Sequence, residues 1–200
     1  MSYFLDSNVL IDWVLISEKI KEDDNLSDDH TLRKRIKEMS YAYTLVNLFF
    51  NSMDKKEVLT SYFAIAETYK RIYDEILYEK LYEKAVPYTM WEKLKKYENL
   101  NEEKITIFRD NVFNYIRKFK KNFTVVNDVV DKQYFSTFFH KSDIGIYDSF
   151  LLSTALKNNA DYFITRDSGV IHLRKKTAIN QNIPIFLKKP DEILRAYNNK

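Results

Sequence analysis

Residues 147–169 read YDSFLLSTALKNNADYFITRDSG, and this stretch decides the fold. Phe150, Leu151, Ala155 and Leu156 recur at helical spacing, so the reading is a helix over 146–159. The next segment, DYFIT at 161–165, is short, apolar and β-prone, which predicts a buried strand. Asp148 lies in the first turn of that helix, and Asp167 follows the strand two residues past Thr165.

The same alternation runs outward in both directions. YFLD at 3–6 is an apolar run that ends in an acid and predicts a strand. A helix follows from Asn8, with Ser7 or Asn8 as its N-cap. The acid-rich stretch 18–30 reads as a loop. Ile36, Met39, Tyr43, Val46 and Phe50 mark a helix over 31–53. A strand is expected at 57–60 and a long helix over 62–85, broken by Pro87. Helices are expected at 88–97 and 102–121, a strand at 123–126, and a helix over 128–139 capped by Asp128. A loop is expected at 140–145 and a last strand at 183–187. Pro190 suits the first position of a terminal helix. Strands that alternate with helices predict an α/β fold with a parallel sheet covered on both faces. No Gly/Ser linker interrupts the 200 residues, so the expectation is one domain over 1–200, enlarged by a helical elaboration at about 31–121.

Composition narrows the chemistry. Hydrophobic residues at 45% can fill a core, and charged residues at 30% suit a solvated surface. The absence of cysteine removes disulfides, thiolate metal sites and cysteine nucleophiles. Two glycines cannot spell a dinucleotide fingerprint or a phosphate loop. Three scattered histidines argue against zinc and against a histidine-based ribonuclease. No apolar run nears the roughly 18 residues of a membrane span, and the N-terminus lacks signal-peptide features. The expected location is therefore the cytoplasm. A net charge of +3 permits nucleic-acid binding without arguing for it.

In a parallel α/β sheet, chemistry gathers at the carboxyl ends of the strands. Asp6 ends the first strand, Glu67 lies early in the helix after EVLTS, Asp148 opens a helix and Asp167 follows a strand. Each alone has a plain reading as a strand stop, an exposed Glu, a helix-dipole acid or a turn residue. Together they would crowd one sheet edge with negative charge, which a hard divalent cation such as Mg²⁺ or Mn²⁺ neutralises.

These residues match a known pattern. LDSNVLID (5–12), TSYFAIAETYK (60–70), residues 147–169 and IPIFLKKPDEIL (183–194) resemble the corresponding segments of PIN-domain nucleases, the group that includes VapC-type toxins. The match covers roughly half the chain. The resemblance implies a three-layer sandwich around a five-stranded parallel sheet with the first and fourth strands side by side. It implies Mg²⁺- or Mn²⁺-dependent hydrolysis of phosphodiester bonds in single-stranded RNA. Asp6, Glu67, Asp148 and Asp167 would be the catalytic, metal-binding acids, with Asn8 and Thr165 in support. Asp143 reads as a cap rather than a further acid. A toxin paired with an antitoxin protein is one form such an enzyme takes, and a homodimer is another expected association. The family's toxins are typically shorter, and the larger helical middle departs from them.

Three basic clusters could meet phosphates: Arg33, Lys34, Arg35 and Lys37; Arg117, Lys118, Lys120 and Lys121; and Arg174, Lys175 and Lys176. The third follows Asp167 closely and is the expected RNA contact. Two alternatives stand beside the nuclease: a non-catalytic module that binds RNA or protein, and a haloacid-dehalogenase-type phosphatase. The phosphatase needs a second Asp where this chain has Asn8.

Overall fold

The structure is a computed structural model that describes residues 1–22, 30–141, 144–175 and 184–198. Five short strands form its sheet: β1 (Tyr3–Leu5), β2 (Val58–Ser61), β3 (Thr124–Val126), β4 (Tyr162–Ile164) and β5 (Phe186–Lys188). Their order is β3-β2-β1-β4-β5, and every pairing is parallel. The chain builds β1, β2 and β3 toward one edge, then crosses back to lay β4 and β5 on the other side of β1. Strand order therefore reverses between β1 and β4, which places a crevice outside their carboxyl ends.

Side chains alternate across the pleat and divide the core in two. Tyr3, Leu5, Val58 and Ile164 face one layer, built from α1 (Ser7–Glu22), α2 (His30–Ser52), much of α3 (Tyr62–Glu83), α5 (Glu102–Asn122) and α9 (Pro190–Asn198). Phe4, Leu59, Phe163 and Leu187 face the other, built from α6 (Lys132–Lys141), α7 (Ile146–Lys157) and α8 (Ser168–His172). The result is the expected three-layer α/β sandwich. Trp13 of α1 anchors the first layer: it is 2% exposed, meets Phe50, Tyr115 and Phe119 edge-on, and donates from Nε1 to Asn47 Oδ1. Truncating a ring buried this way typically costs ~3–5 kcal/mol.

Helix ends explain how so few glycines suffice. α7 stops where Asn159 takes a left-handed φ of 54°. The Asn159 N–H then bonds Leu156 O and the Ala160 N–H bonds Ala155 O, a Schellman closure with asparagine in the usual glycine place. This turn delivers the chain into β4.

Several expected boundaries are corrected. α1 runs on to Glu22, into the stretch read as a loop, and residues 23–29 lie outside the described residues. The helix expected over 88–97 is three short turns: Tyr88–Met90, α4 (Trp91–Leu94) and Lys95–Tyr97. Lys95 ties them to buried Asp74 on α3 at 2.9 Å. The helix expected from Asp128 begins at Lys132, because Asp128 is used elsewhere. Val129 and Asp131 instead donate their N–H groups to Thr154 and Ser153 of α7, and Asp131 becomes the cap through Gln133 and Tyr134. β5 lies at Phe186–Lys188, later than expected. No described helix is long and apolar enough to cross a membrane.

Candidate metal centre

Asp6 follows β1 directly, and its backbone carbonyl accepts the first helical N–H bonds of α1, from Val9 and Leu10. Its carboxylate is 2% exposed. Oδ1 accepts from the Ser7 N–H at 2.7 Å and more weakly from Ser7 Oγ at 3.3 Å. Oδ2 accepts from Thr165 Oγ1 and Asn8 Nδ2, both at 2.6 Å. β4 reaches this point because the Asp6 N–H bonds Ile164 O in the β1–β4 ladder. The roles expected for Asn8 and Thr165 thus have a geometry: both grip one oxygen of Asp6.

Thr165 is the hub. Its hydroxyl donates to Asp6 and accepts from Asn8 Nδ2 and from the Asp167 N–H, each at 2.9 Å, which uses its full capacity. Asp167 caps α8 through Oδ1, which accepts the Val170 N–H at 2.9 Å. It is the exposed member of the set, whereas Glu67 and Asp148 are half-buried.

Electrostatics ties the acids together. Burial pushes Asp6 up to about 7 against the hydrogen bond from Thr165, and the negative charges of Asp148 and Glu67 push the same way. Burial also raises Asp148, to about 6, helped by the charges of Asp167 and Glu67. Like charges thus run from Asp6 through Glu67 and Asp148 to Asp167. They do not close into a finished cage: among the described residues, no three His, Cys, Asp or Glu side chains converge closely enough to hold an ion as they stand. The four side chains are nonetheless all carboxylates, oxygen donors of the kind that suits hard cations such as Mg²⁺ and Mn²⁺.

Both glycines of the chain sit against these acids. A Cβ on Gly145 would lie 3.0 Å from Asp148 Oδ2, and one on Gly169 would lie 3.0 Å from Asp167 Oδ1. With any larger residue there, the carboxylate would have to shift by a few tenths of an ångström.

Three residues to which sequence reading gave no part in the site shape it. Arg166 forms an ion pair with Asp12 of α1, and its N–H donates to Asn8 Oδ1 at 3.0 Å. Asn8 and Asp12 are four apart on α1, so one helix face holds both the backbone and the side chain of Arg166. The spacing was visible, but nothing in it named the partner. Asp128, two residues past β3, accepts the Phe63 N–H at 2.8 Å, while Ser61 Oγ accepts the Ala64 N–H. These caps fix the start of α3 and, one turn on, Glu67.

Of the expected RNA contact, only the Arg174 side chain is described, and it is engaged within the chain. Arg174 donates to both oxygens of Glu192 at 2.7 and 2.5 Å, pulling that carboxyl down to about 2. The side chain of Lys175, together with Lys176 and Asp143, lies outside the described residues.

No family model matches the chain. No solved structure matches it either. A protein of Archaeoglobus fulgidus, described as uncharacterised, is 35% identical over 91 residues, spanning 46% of this chain and 74% of the relative.

Proposed function

The chain belongs to the same family as that Archaeoglobus fulgidus protein, and because the relative's name states no activity, we propose the function from the site itself: a PIN-like, Mg²⁺- or Mn²⁺-dependent endoribonuclease that hydrolyses phosphodiester bonds in single-stranded RNA. One observation carries this reading. Buried Asp6, at the crevice between β1 and β4, feels the negative charges of Glu67 and Asp148, Asp148 feels that of Asp167, and Thr165 bonds both Asp6 and the Asp167 N–H.

Asp6, Glu67, Asp148 and Asp167 would hold the ion. When bound, it supplies positive charge that acidifies a water and stabilises charge on the phosphate under attack. Asn8 and Thr165 orient the Asp6 carboxylate. Arg166, clamped to α1, keeps the 165–167 segment in register with Asp6. Without a cation, Asp6 and Asp148 retain protons up to about pH 7 and 6. Hydrolysis adds the oxygen of water to phosphorus and expels one ribose oxygen, which leaves with a proton.

The test is cleavage of a labelled single-stranded RNA with Mn²⁺ or Mg²⁺. Cutting that stops in EDTA and in Asp6→Asn supports the reading. Cutting that survives either change removes it. One observation favours a second reading, an RNA-binding module without catalysis: among the described residues, no three donors are closed around a point. That reading expects RNA to be retained but never cut.

A further inference from the structure

An aromatic shelf shares its two helices with Glu67 and Asp148. The Phe63 ring lies 5.4 Å from the ring of Tyr147 and 5.2 Å from that of Phe150. Phe63 is four residues before Glu67 on α3, so their Cβ atoms are about 5–6 Å apart on one helix face. Tyr147 immediately precedes Asp148, and Phe150 is two residues beyond it. The shelf and two of the acids, Glu67 and Asp148, thus come from the same two helices.

The shelf is built firmly and presents an open surface. Phe63 packs against the second core layer, and Asp128 and Ser61 pin the start of its helix. Phe150 meets it nearly edge-on, at 81°. Tyr147, tilted 30° to Phe63, remains 60% exposed. A large ring set on a fixed support and open to solvent loses little freedom when something flat lies on it. An isolated exposed aromatic needs no explanation, but this one packs on the Phe63 ring, which Phe150 meets in turn, and lies on the same pair of helices as the half-buried acids Glu67 and Asp148.

Resting on the nuclease reading above, we propose that Tyr147, seated on Phe63, is the subsite for an unpaired nucleobase of the strand whose phosphate meets the acids. Bases in a duplex are already stacked and paired, whereas a single strand can splay one out onto a ring. Stacking is indifferent to base identity, since every base has a π-face. The shelf therefore selects for single-strandedness rather than for sequence.

The experiment uses the full chain and a short single-stranded RNA carrying one 2-aminopurine, whose fluorescence falls when it stacks. It is run in EDTA and again in Ca²⁺. Wild type is expected to quench the probe in at least one of the two conditions. Tyr147→Ala should bind it about tenfold more weakly, and Tyr147→Phe, which keeps the ring, should match wild type. An abasic strand of equal length should bind all three proteins alike. No quenching by wild type in either condition, or equal quenching by wild type and Tyr147→Ala, overturns the proposal. The readout needs no cutting, so the two ideas fail separately. Quenching that depends on Tyr147 in a protein that never cuts RNA keeps the base subsite and removes the nuclease. Cutting in Mn²⁺ with a probe signal blind to Tyr147→Ala does the opposite.

Discussion

Thr165 Oγ1 stands 2.6 Å from Asp6 Oδ2, a hydrogen bond that joins side chains 159 positions apart. It stitches the end of β4 to the end of β1 and sets the acid at the centre of the site. Thr165→Val keeps the shape and removes the hydroxyl from three hydrogen bonds. The expected cost is about 1–3 kcal/mol of stability, because a buried carboxylate loses a donor. Mn²⁺ affinity should fall as well, about 10- to 100-fold. Denaturant melts and calorimetric Mn²⁺ titration check both.

The raised acids make a pH prediction with a definite sign. An unfolded aspartate titrates near ~3.9, while Asp6 is pushed up to about 7 and Asp148 to about 6. Between those limits the folded protein binds more protons than the unfolded chain, so stability falls as pH rises. The contribution is fully present below the unfolded value. It is lost through about pH 6 for Asp148 and about pH 7 for Asp6. In EDTA, wild type should therefore lose more melting temperature between pH 5 and pH 8 than Asp6→Asn does. Mn²⁺ should raise the wild-type melting temperature more at pH 8 than at pH 5. Equal losses in the two proteins would contradict the raised value for Asp6.

Gly145 offers a sharper probe than removing an acid. In Gly145→Ala the new Cβ meets Asp148 Oδ2 at 3.0 Å, so the carboxylate must move. The backbone there is extended, at φ −60° and ψ 156°, which alanine tolerates. Folding should be nearly unchanged while Mn²⁺ affinity drops about 10-fold or more. Unchanged affinity would show that Asp148 can shift freely and is no part of a tight site.

Arg174 separates a structural role from an RNA contact. Its guanidinium is held by Glu192. Arg174→Ala should cost about 0.5–1 kcal/mol of stability, as a partly exposed ion pair does. The dependence of RNA binding on salt should stay the same. A salt slope reduced by about one would return Arg174 to the phosphate contacts expected from sequence.

The strand–helix alternation made the sheet legible, because a parallel sheet buried on both faces needs short apolar strands. Its neighbours at β1 and β4 followed from a resemblance rather than from periodicity. The acids were legible one by one as strand-end and helix-start residues. What sequence could not supply was partnership. Asp128 looked like the cap of its own helix, and only the packing of β3 beside β2 hands it to α3. Arg166 and Asp12 were two ordinary charges until β4 lay next to β1. Arg174 looked available for phosphate until α9 brought Glu192 to it. Each of these partners is a long-range pairing, and residue spacing carries no record of them.

The most direct test of the central claim is a crystal grown or soaked with Mn²⁺ and measured at the manganese absorption edge. An anomalous peak at the carboxyl ends of β1 and β4, touching Asp6 together with carboxylates from among Glu67, Asp148 and Asp167, is the expected result. A well-ordered crevice with no peak at saturating Mn²⁺, or a peak bound only by residues elsewhere, would contradict it.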